Sequence, residues 1–214
     1  MPGLKLVIYG YCVTQGPERQ SPSSAELGDP RARILDSATR EFARSGFNGT
    51  SLERIAAGAG LSKAGVLHHF AGKAAIPFAL LGGRDDAGVR LTEADSTSLD
   101  VLESLVTVAR RDLQQPLDTR VFAVLAGEAL GLESPLRSWF RQRYADLTAQ
   151  IAAALDNAVS EGLVRPEVDT AAVAAEALAM MDGLQLQYLL DDDEAAYLGR
   201  FTAAIERLID GIKA

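Results

Sequence analysis

A single cysteine, Cys12, occurs among the 214 residues of the chain. One cysteine excludes an intramolecular disulfide framework and a zinc site built from several cysteines, and it suits a reducing compartment. Aromatic residues make up only 6% of the chain, and β-branched residues are scarce beside alanine and leucine. Because no alternating apolar and polar segment stands out after residue 14, we expect an all-helical body.

Long apolar runs are also missing. The longest one near the N-terminus covers residues 6–13, far short of the ~18 residues that a membrane span needs. We therefore expect no membrane association and a cytoplasmic protein. The sequence has no glycine-rich phosphate loop, no nucleophile motif and no metal-ligand cluster, so we expect no catalytic residue, no metal and no cofactor.

Charge is unevenly distributed along the chain. The formal net charge is −8, which by itself disfavours binding to a polyanion. Residues 30–83, however, hold seven basic and three acidic side chains, a net charge of +4, whereas residues 84–214 hold 12 basic and 23 acidic ones, a net charge of −11. The first segment is suited to nucleic acid, and the second would be repelled by it.

Composition and helical pattern divide the chain into three parts. Residues 1–29 include a stretch rich in Pro, Ser, Gly and charge that cannot bury a core, and we expect a flexible extension there. The pattern that follows predicts a small domain over residues 30–76. A larger helical domain is predicted over residues 77–214.

The small domain contains the start and stop signals of three short helices. Asp29 can cap the first helix, Pro30 suits its first position, and Gly46 supplies its end. Thr50 begins a capping box, T-S-L-E, at the start of the second helix. Ser62 can cap the third helix after a tight glycine-containing turn. The second and third helices therefore form a helix-turn-helix.

A fourth helix is predicted from about Lys73 to the glycine pair at 82–83. Pro77 lies inside it and removes one backbone hydrogen bond, so we expect either a kink or a later helix start. Five further helices are predicted at about 98–114, 118–131, 135–162, 169–190 and 194–212, giving about nine in all. The helix at 135–162 is expected to begin with Ser134 capping Pro135.

Residues 31–73 combine four sequence features. They are F-A-R-S-G-F at the end of the first helix, T-S-L-E-R-I-A at the second, A-G-L-S-K at the turn and H-H-F-A-G-K at the close. In this combination the segment resembles the TetR family of transcriptional regulators. The resemblance implies an all-α fold, with an N-terminal three-helix helix-turn-helix DNA-binding domain followed by a larger helical ligand-binding and dimerisation domain.

The resemblance also implies that the helix at 62–70 enters the major groove of DNA, which is wide enough for one helix. Short side chains at the start of this helix allow the backbone to approach closely, and Lys63 can reach a guanine or a phosphate. Hydroxyls and free N–H groups at the start of the second helix form a phosphate site. The expected DNA-binding residues are Thr50, Ser51, Ser62, Lys63, Ala64, Gly65, His68, His69 and Lys73.

The sequence departs from the family pattern at two positions. Leu67 stands where the family commonly has a tyrosine whose hydroxyl contacts the DNA backbone, and this puts the strength of binding in question. Pro77 lies in the helix that follows the helix-turn-helix, and it affects how the two domains are coupled. The adjacent His68 and His69 point about 100° apart on a helix, so we do not expect them to chelate one metal ion.

For the larger domain the resemblance implies a dimer in which the last two helices pair with their twins, and an effector cavity among the helices before them. Ordinary core packing is the alternative explanation for the cavity residues. The expected dimer interface consists of Leu178, Met181, Gln185, Leu189, Ile205, Leu208, Ile209 and Ile212. The candidate effector-binding residues are Phe122, Trp139, Phe140, Tyr144, Met180 and Tyr188.

Together these features predict a ligand-responsive transcriptional regulator, most simply a repressor. It is expected to bind a near-palindromic operator in double-stranded DNA as a homodimer and to be released by a small-molecule effector. An enzyme is one alternative, but the chain lacks a catalytic motif. The other is a dimeric helical interaction protein that has lost DNA binding, which the acidic composition and Leu67 both fit. Salt-dependent affinity for DNA distinguishes this alternative from the regulator.

Overall fold

The computed structural model describes residues 28–85 and 98–214. In these two ranges the chain forms nine α-helices, as the sequence predicted. No helix of the described residues has the length and hydropathy needed to cross a bilayer. The predicted extension over residues 1–29 lies almost wholly outside the described residues. The helices are α1 Pro30–Ser45, α2 Leu52–Gly58, α3 Lys63–His69, α4 Ala75–Asp85, α5 Asp100–Gln114, α6 Pro116–Glu128, α7 Arg137–Ser160, α8 Thr170–Asp191 and α9 Glu194–Ile212.

Contacts group the helices into two compact units. The amino-terminal unit contains α1 to α4 together with α6 and the first residues of α7, up to Phe140. The carboxy-terminal unit contains α5, the rest of α7 from Arg141, α8 and α9. Both units are discontinuous in sequence, whereas the domain boundary expected after residue 76 divides the chain once. That boundary stays a prediction.

Three local signals at the ends of α1 and α3 act as the sequence predicted. The Asp29 carboxylate accepts a hydrogen bond from the Arg31 amide at 3.0 Å, and Pro30 is the first residue of α1. Gly46 ends α1 with a φ of +70°, a conformation that favours glycine. The Ser62 hydroxyl caps α3 by accepting from the Gly65 amide at 3.1 Å.

The start of α2 differs by one residue from the prediction. Its N-cap is Ser51, whose hydroxyl accepts a hydrogen bond from the Arg54 amide at 3.2 Å. The side chain of Thr50 is buried, and its hydroxyl donates to the carbonyls of Gly46 at 2.7 Å and Glu41 at 3.1 Å. The capping box at Thr50 was therefore wrong, because carbonyls at the end of α1 take up this hydroxyl.

Of the two outcomes expected at Pro77, the structure shows the later helix start. Helix α4 begins at Ala75, so Pro77 is its third residue. The amides of the first turn have no partner inside a helix, and a proline there removes no helical hydrogen bond. A turn precedes the helix, in which the Ala75 amide donates to the Gly72 carbonyl at 3.1 Å.

Other helix ends also differ from the predicted ones, and α6, predicted at about 118–131, spans Pro116–Glu128. Helix α4 continues to Asp85 and does not stop at the glycine pair 82–83, since glycine weakens a helix without breaking it. Helix α7 begins at Arg137 rather than at Pro135. A tight turn comes first, in which the Arg137 amide donates to the Ser134 carbonyl at 3.2 Å, while the Ser134 hydroxyl accepts from the Leu136 amide at 3.4 Å.

The core of the amino-terminal unit lies where α1 meets α2. Ile34 and Phe42 of α1 and Ile55 of α2 have no exposed surface, and complete burial of such side chains contributes about 1.5–3 kcal/mol each. A buried hydrogen bond from the Ser37 hydroxyl to the Ile55 carbonyl, 2.9 Å long, joins the two helices. The helix-turn-helix is thus anchored on α1.

The carboxy-terminal unit carries polar pairs inside an apolar core. The Gln185 amide donates to the fully buried Asp112 carboxylate at 2.7 Å, which joins α8 to α5. The Tyr144 hydroxyl donates to the Asp182 carboxylate at 2.7 Å, which joins α7 to α8. Burial and the nearby Asp182 charge both raise the pKa of Tyr144 well above its usual range, so this hydroxyl stays a donor.

The position of Pro77 gives a test by paired substitutions in α4. We expect Pro77→Ala to lower the free energy of unfolding by only about 1–1.5 kcal/mol, from lost packing of its buried ring. Ala79→Pro, two residues further into the helix, is expected to cost about 3 kcal/mol because it breaks a helical hydrogen bond. Urea unfolding followed by circular dichroism measures both. Stabilisation by Pro77→Ala would show that the ring does cost a hydrogen bond.

Candidate nucleic-acid interface

Helix α3 presents most of the predicted DNA contacts to solvent. Only Val66 of this helix is buried, and Phe70 at its end is buried with it. Gly65 is partly exposed. The exposed positions are Ser62, Lys63, Ala64, Leu67, His68 and His69. The predicted DNA-binding residues of α3 therefore lie on the part of the helix surface that does not pack in the core.

The fold itself does not require glycine at position 65. A Cβ added there would lie 3.5 Å from the Cβ of Leu61 and 3.6 Å from the Ser62 hydroxyl, both ordinary van der Waals distances. Glycine also weakens a helix relative to alanine. A missing side chain with no internal reason is typical of a place where an outside surface approaches the backbone closely.

Lys63 is held by a carboxylate of the preceding helix. Its ammonium lies 2.7 Å from the carboxylate of Glu53, and both side chains are exposed. The hydrogen bond from Lys63 is the largest cause that lowers the pKa of Glu53 from 4.5 to about 2. Because the folded-state pKa is lowered, this pair stabilises the fold above about pH 4.5 and loses its effect as the pH falls towards 2. An exposed pair is easily exchanged, so Lys63 can pass to a phosphate or a guanine.

His68 and His69 are neighbours at the exposed end of α3. Their rings meet edge to face with centroids 5.2 Å apart. Among the residues that the structure describes, no group of three His, Cys, Asp or Glu side chains could hold a metal ion. Contact of these rings with phosphate stays a prediction.

At the start of α2 the two predicted phosphate contacts have different surroundings. Ser51 is partly exposed and caps the helix. Thr50 is only 2% exposed and its hydroxyl is engaged inside the fold. Any contribution of Thr50 to phosphate binding would therefore come from its backbone rather than from its side chain.

Lys73 points towards the turn between α1 and α2. Its ammonium donates to the carbonyls of Phe47 and Thr50, each at 2.8 Å, and lies 4.3 Å from the centre of the Phe47 ring. These contacts give Lys73 a role in the fold, which the sequence pattern did not suggest. A contact with DNA would have to compete with two carbonyls.

Glu128, at the end of α6, was not among the predicted functional residues. Its carboxylate accepts hydrogen bonds from the backbone amides of Phe47 at 2.6 Å and Asn48 at 3.2 Å. Both amides belong to the turn that leads into α2. No local sequence signal identifies this contact, because its partners lie about 80 residues apart along the chain.

The candidate effector-binding residues fall into both units. Phe122 and Phe140 pack edge to face in the amino-terminal unit with ring centroids 5.4 Å apart, and Trp139 lies 4.9 Å from Phe140. Tyr144, Met180 and Tyr188 belong to the carboxy-terminal unit. There Tyr188 stacks on Tyr197 at 5.3 Å and lines a small cleft at the turn between α8 and α9. Effector binding by these residues stays a prediction.

Most of the residues expected at a dimer interface lie in the core of their own protomer. Buried side chains have little surface left to offer to a partner. Leu208 is the member of the set that keeps partial exposure. The buried members are Leu178, Met181, Gln185, Leu189, Ile205, Ile209 and Ile212.

Two family models match the chain. The model of bacterial regulatory proteins of the tetR family matches residues 34–80. The model of the C-terminal part of BetI-type transcriptional repressors matches residues 100–213. Between them they cover the helix-turn-helix and the helices from α5 to α9.

Similar proteins include two curated regulators. The HTH-type transcriptional regulator TtgR of Pseudomonas putida is 26% identical over 196 residues, which cover 88% of this chain and 93% of TtgR. The HTH-type transcriptional regulator UidR of Escherichia coli is also 26% identical over 196 residues, which cover 87% of this chain and 94% of UidR.

Solved structures show the same fold. One of them concerns the molecular basis for control of antibiotic production by bacterial hormones. It has a TM-score of 0.68 at 26% identity, and the match covers 86% of this chain and 97% of the solved chain. SmeT, the repressor of the Stenotrophomonas maltophilia multidrug efflux pump SmeDEF, has a TM-score of 0.68 at 18% identity, with 88% and 93% coverage. At that identity SmeT supports the fold alone.

The room for a methyl group at Gly65 predicts a variant whose effects on folding and on DNA binding differ in sign. We expect Gly65→Ala to raise the free energy of unfolding by up to about 1 kcal/mol. The same methyl group is expected to weaken DNA binding at least about tenfold, because it prevents close approach of α3. Fluorescence anisotropy with labelled duplex measures the affinity.

Gly211→Ala in α9 is the control, since a Cβ there would have no other atom within 4 Å. It should stabilise the protein to a similar degree and leave the affinity for DNA unchanged. If Gly65→Ala bound DNA as tightly as the unmodified protein, the first turn of α3 would not be in close contact with DNA.

Proposed function

Because the chain belongs to the TetR family of transcriptional regulators, we propose that it represses transcription by binding a near-palindromic operator as a homodimer and that a small-molecule effector releases it. Members of this family are regulators and not enzymes. The observation that carries the proposal is the exposed face of α3, with its short side chains and a glycine that the fold does not require. We expect the protein to act in the cytoplasm, where its DNA is.

In this proposal α3 enters the major groove and α2 holds the phosphate backbone. Ala64 and Gly65 bring the α3 backbone close to the base edges, and Lys63 exchanges Glu53 for a guanine or a phosphate. Ser51 and the first amides of α2 face a phosphate. Leu67 is 44% exposed and supplies an apolar contact in place of a hydroxyl.

A single module of this kind makes few base contacts, so two copies related by a two-fold axis are needed for tight binding. The surface that we propose for the second copy is an exposed stripe of small and apolar residues on α8. Its members recur every three or four residues and so share one face of the helix. They are Ala172, Ala175, Ala179, Gly183, Leu186 and Leu190.

Two leucines of this stripe are unusually exposed. Leu186 is 56% and Leu190 is 76% accessible, although leucine is among the residues most often buried. A contiguous apolar strip on an otherwise acidic surface is typical of an interface. We propose this exposed face of α8 as the dimer interface in place of the predicted interface residues, most of which are buried in the protomer's own core.

For the effector we propose a binding site in the carboxy-terminal unit, around the polar pairs of α5, α7 and α8. Sites for small molecules are mostly apolar with a few polar groups that fix orientation. The Tyr144–Asp182 pair is partly buried, and Tyr144 is one of the predicted effector-binding residues. Binding there would shift α4 and change the spacing of the two α3 helices.

The proposal is tested by binding of the purified protein to the DNA upstream of its own coding sequence at two salt concentrations, with random duplex as competitor. We expect competitor-resistant binding that weakens as salt rises, because phosphate contacts release counterions. Weak, equal binding to both duplexes would favour the interaction protein that has lost DNA binding. Addition of candidate effectors to the complex then tests release.

The proposed dimer surface predicts the effect of a charge within the stripe. We expect Leu190→Glu to raise the dimer dissociation constant more than about a hundredfold, because the second copy would then cover a carboxylate in place of a leucine. Sedimentation velocity at micromolar protein measures the dimer fraction. Leu132→Glu is the control, since Leu132 is 82% exposed and lies after α6, outside the stripe. Equal dimer fractions for the two variants would place the interface elsewhere.

A further inference from the structure

The turn between α1 and α2 is held by the carboxylate at the end of α6. Oε2 of Glu128 accepts from the Phe47 amide at 2.6 Å, and Oε1 accepts from the Asn48 amide at 3.2 Å. Both oxygens are therefore used, on two successive backbone groups. A carboxylate that receives two N–H groups is held in direction as well as in distance.

The shape of the turn is matched to this carboxylate. A Cβ added to Gly46 would lie 2.5 Å from Oε1 of Glu128 and 3.0 Å from its carboxyl carbon. Gly46 also has a φ of +70°, which any other residue adopts at a cost. A side chain at position 46 would therefore strain the backbone and displace the Glu128 carboxylate from the Phe47 and Asn48 amides.

The carbonyl side of the same turn is held by a cation. The Lys73 ammonium donates to the carbonyls of Phe47 and Thr50, each at 2.8 Å. The peptide groups of residues 47–50 are consequently fixed by a carboxylate from α6 and by an ammonium from the segment before α4. These residues lead directly to Ser51, the N-cap of α2.

We propose that Glu128 is a positioning residue for DNA binding, which fixes the start of α2 relative to α6 through the Phe47 and Asn48 amides. This inference rests on the proposed function, because the start of α2 is the proposed phosphate contact. It also assigns α6 a part in DNA recognition, although α6 begins at Pro116, 31 residues beyond the last residue of α4. A displacement of the end of α6 would reach α2 through this carboxylate.

The test uses the full-length protein with Glu128→Ala and Glu128→Gln. Glutamine keeps the shape and one acceptor oxygen, so it tests the second hydrogen bond without opening a cavity. Glu133→Ala is the matched control, because Glu133 is an exposed carboxylate in the segment just after α6. Affinity for the upstream duplex and amide NMR signals are measured on each.

We expect Glu128→Ala to weaken DNA binding about tenfold and Glu128→Gln about threefold, with Glu133→Ala unchanged. The amide signals of Phe47, Asn48 and the first turn of α2 should move in both Glu128 variants, while circular dichroism at the assay temperature stays that of the unmodified protein. A merely structural role would lower the melting temperature without this graded loss of affinity.

The outcomes separate the two proposals. If the unmodified protein shows no salt-dependent affinity for DNA, the proposed function fails and this inference fails with it. If the unmodified protein binds and both Glu128 variants bind equally well, only the inference on Glu128 is overturned. Unchanged Phe47 and Asn48 amide signals in Glu128→Ala would overturn it as well.

Discussion

Helices α2 and α3 are seven residues long each, and helices of this length do not persist alone in water. Their structure depends on packing: α2 packs on α1 and buries Ile55, and α3 packs on α2 and buries Val66. A single buried residue, Val66, is enough to hold α3 in place because Ser62 and Phe70 fix the two ends of the helix. The other side chains of α3 do not pack in the core, and this leaves an exposed face of the helix available for DNA.

The parts of this arrangement that the sequence predicts correctly are those decided by a few neighbouring residues. A cap needs one side chain and an amide two or three positions along, so Asp29 and Ser62 could be placed from the sequence. Thr50 shows the limit of such signals. It has the spacing of a capping box, but the carbonyls of Gly46 and Glu41 compete for its hydroxyl, and Ser51 caps α2 instead.

What the sequence could not supply is the direction of a side chain within the tertiary structure. Helix α8 has apolar residues on nearly every face, so an apolar period does not distinguish the protomer's own core from a partner. Gln185 illustrates this, because it was expected at a dimer interface and instead meets Asp112, 73 residues earlier in the chain. Lys73 and Glu128 turn inward to the same backbone turn for reasons equally remote in sequence.

The charge balance of the helix-turn-helix segment limits how DNA can be recognised. Each of its three acidic residues forms an ion pair with a basic one: Asp36 with Arg40, Glu41 with Arg54 and Glu53 with Lys63. The excess positive charge is therefore small, and the rest of the chain carries a net charge of opposite sign. Non-specific attraction to phosphates scales with the number of such contacts. A protein with few of them has to gain affinity from close approach at Gly65, from correct placement of α2 and from a second copy, and these terms depend on the geometry of the operator.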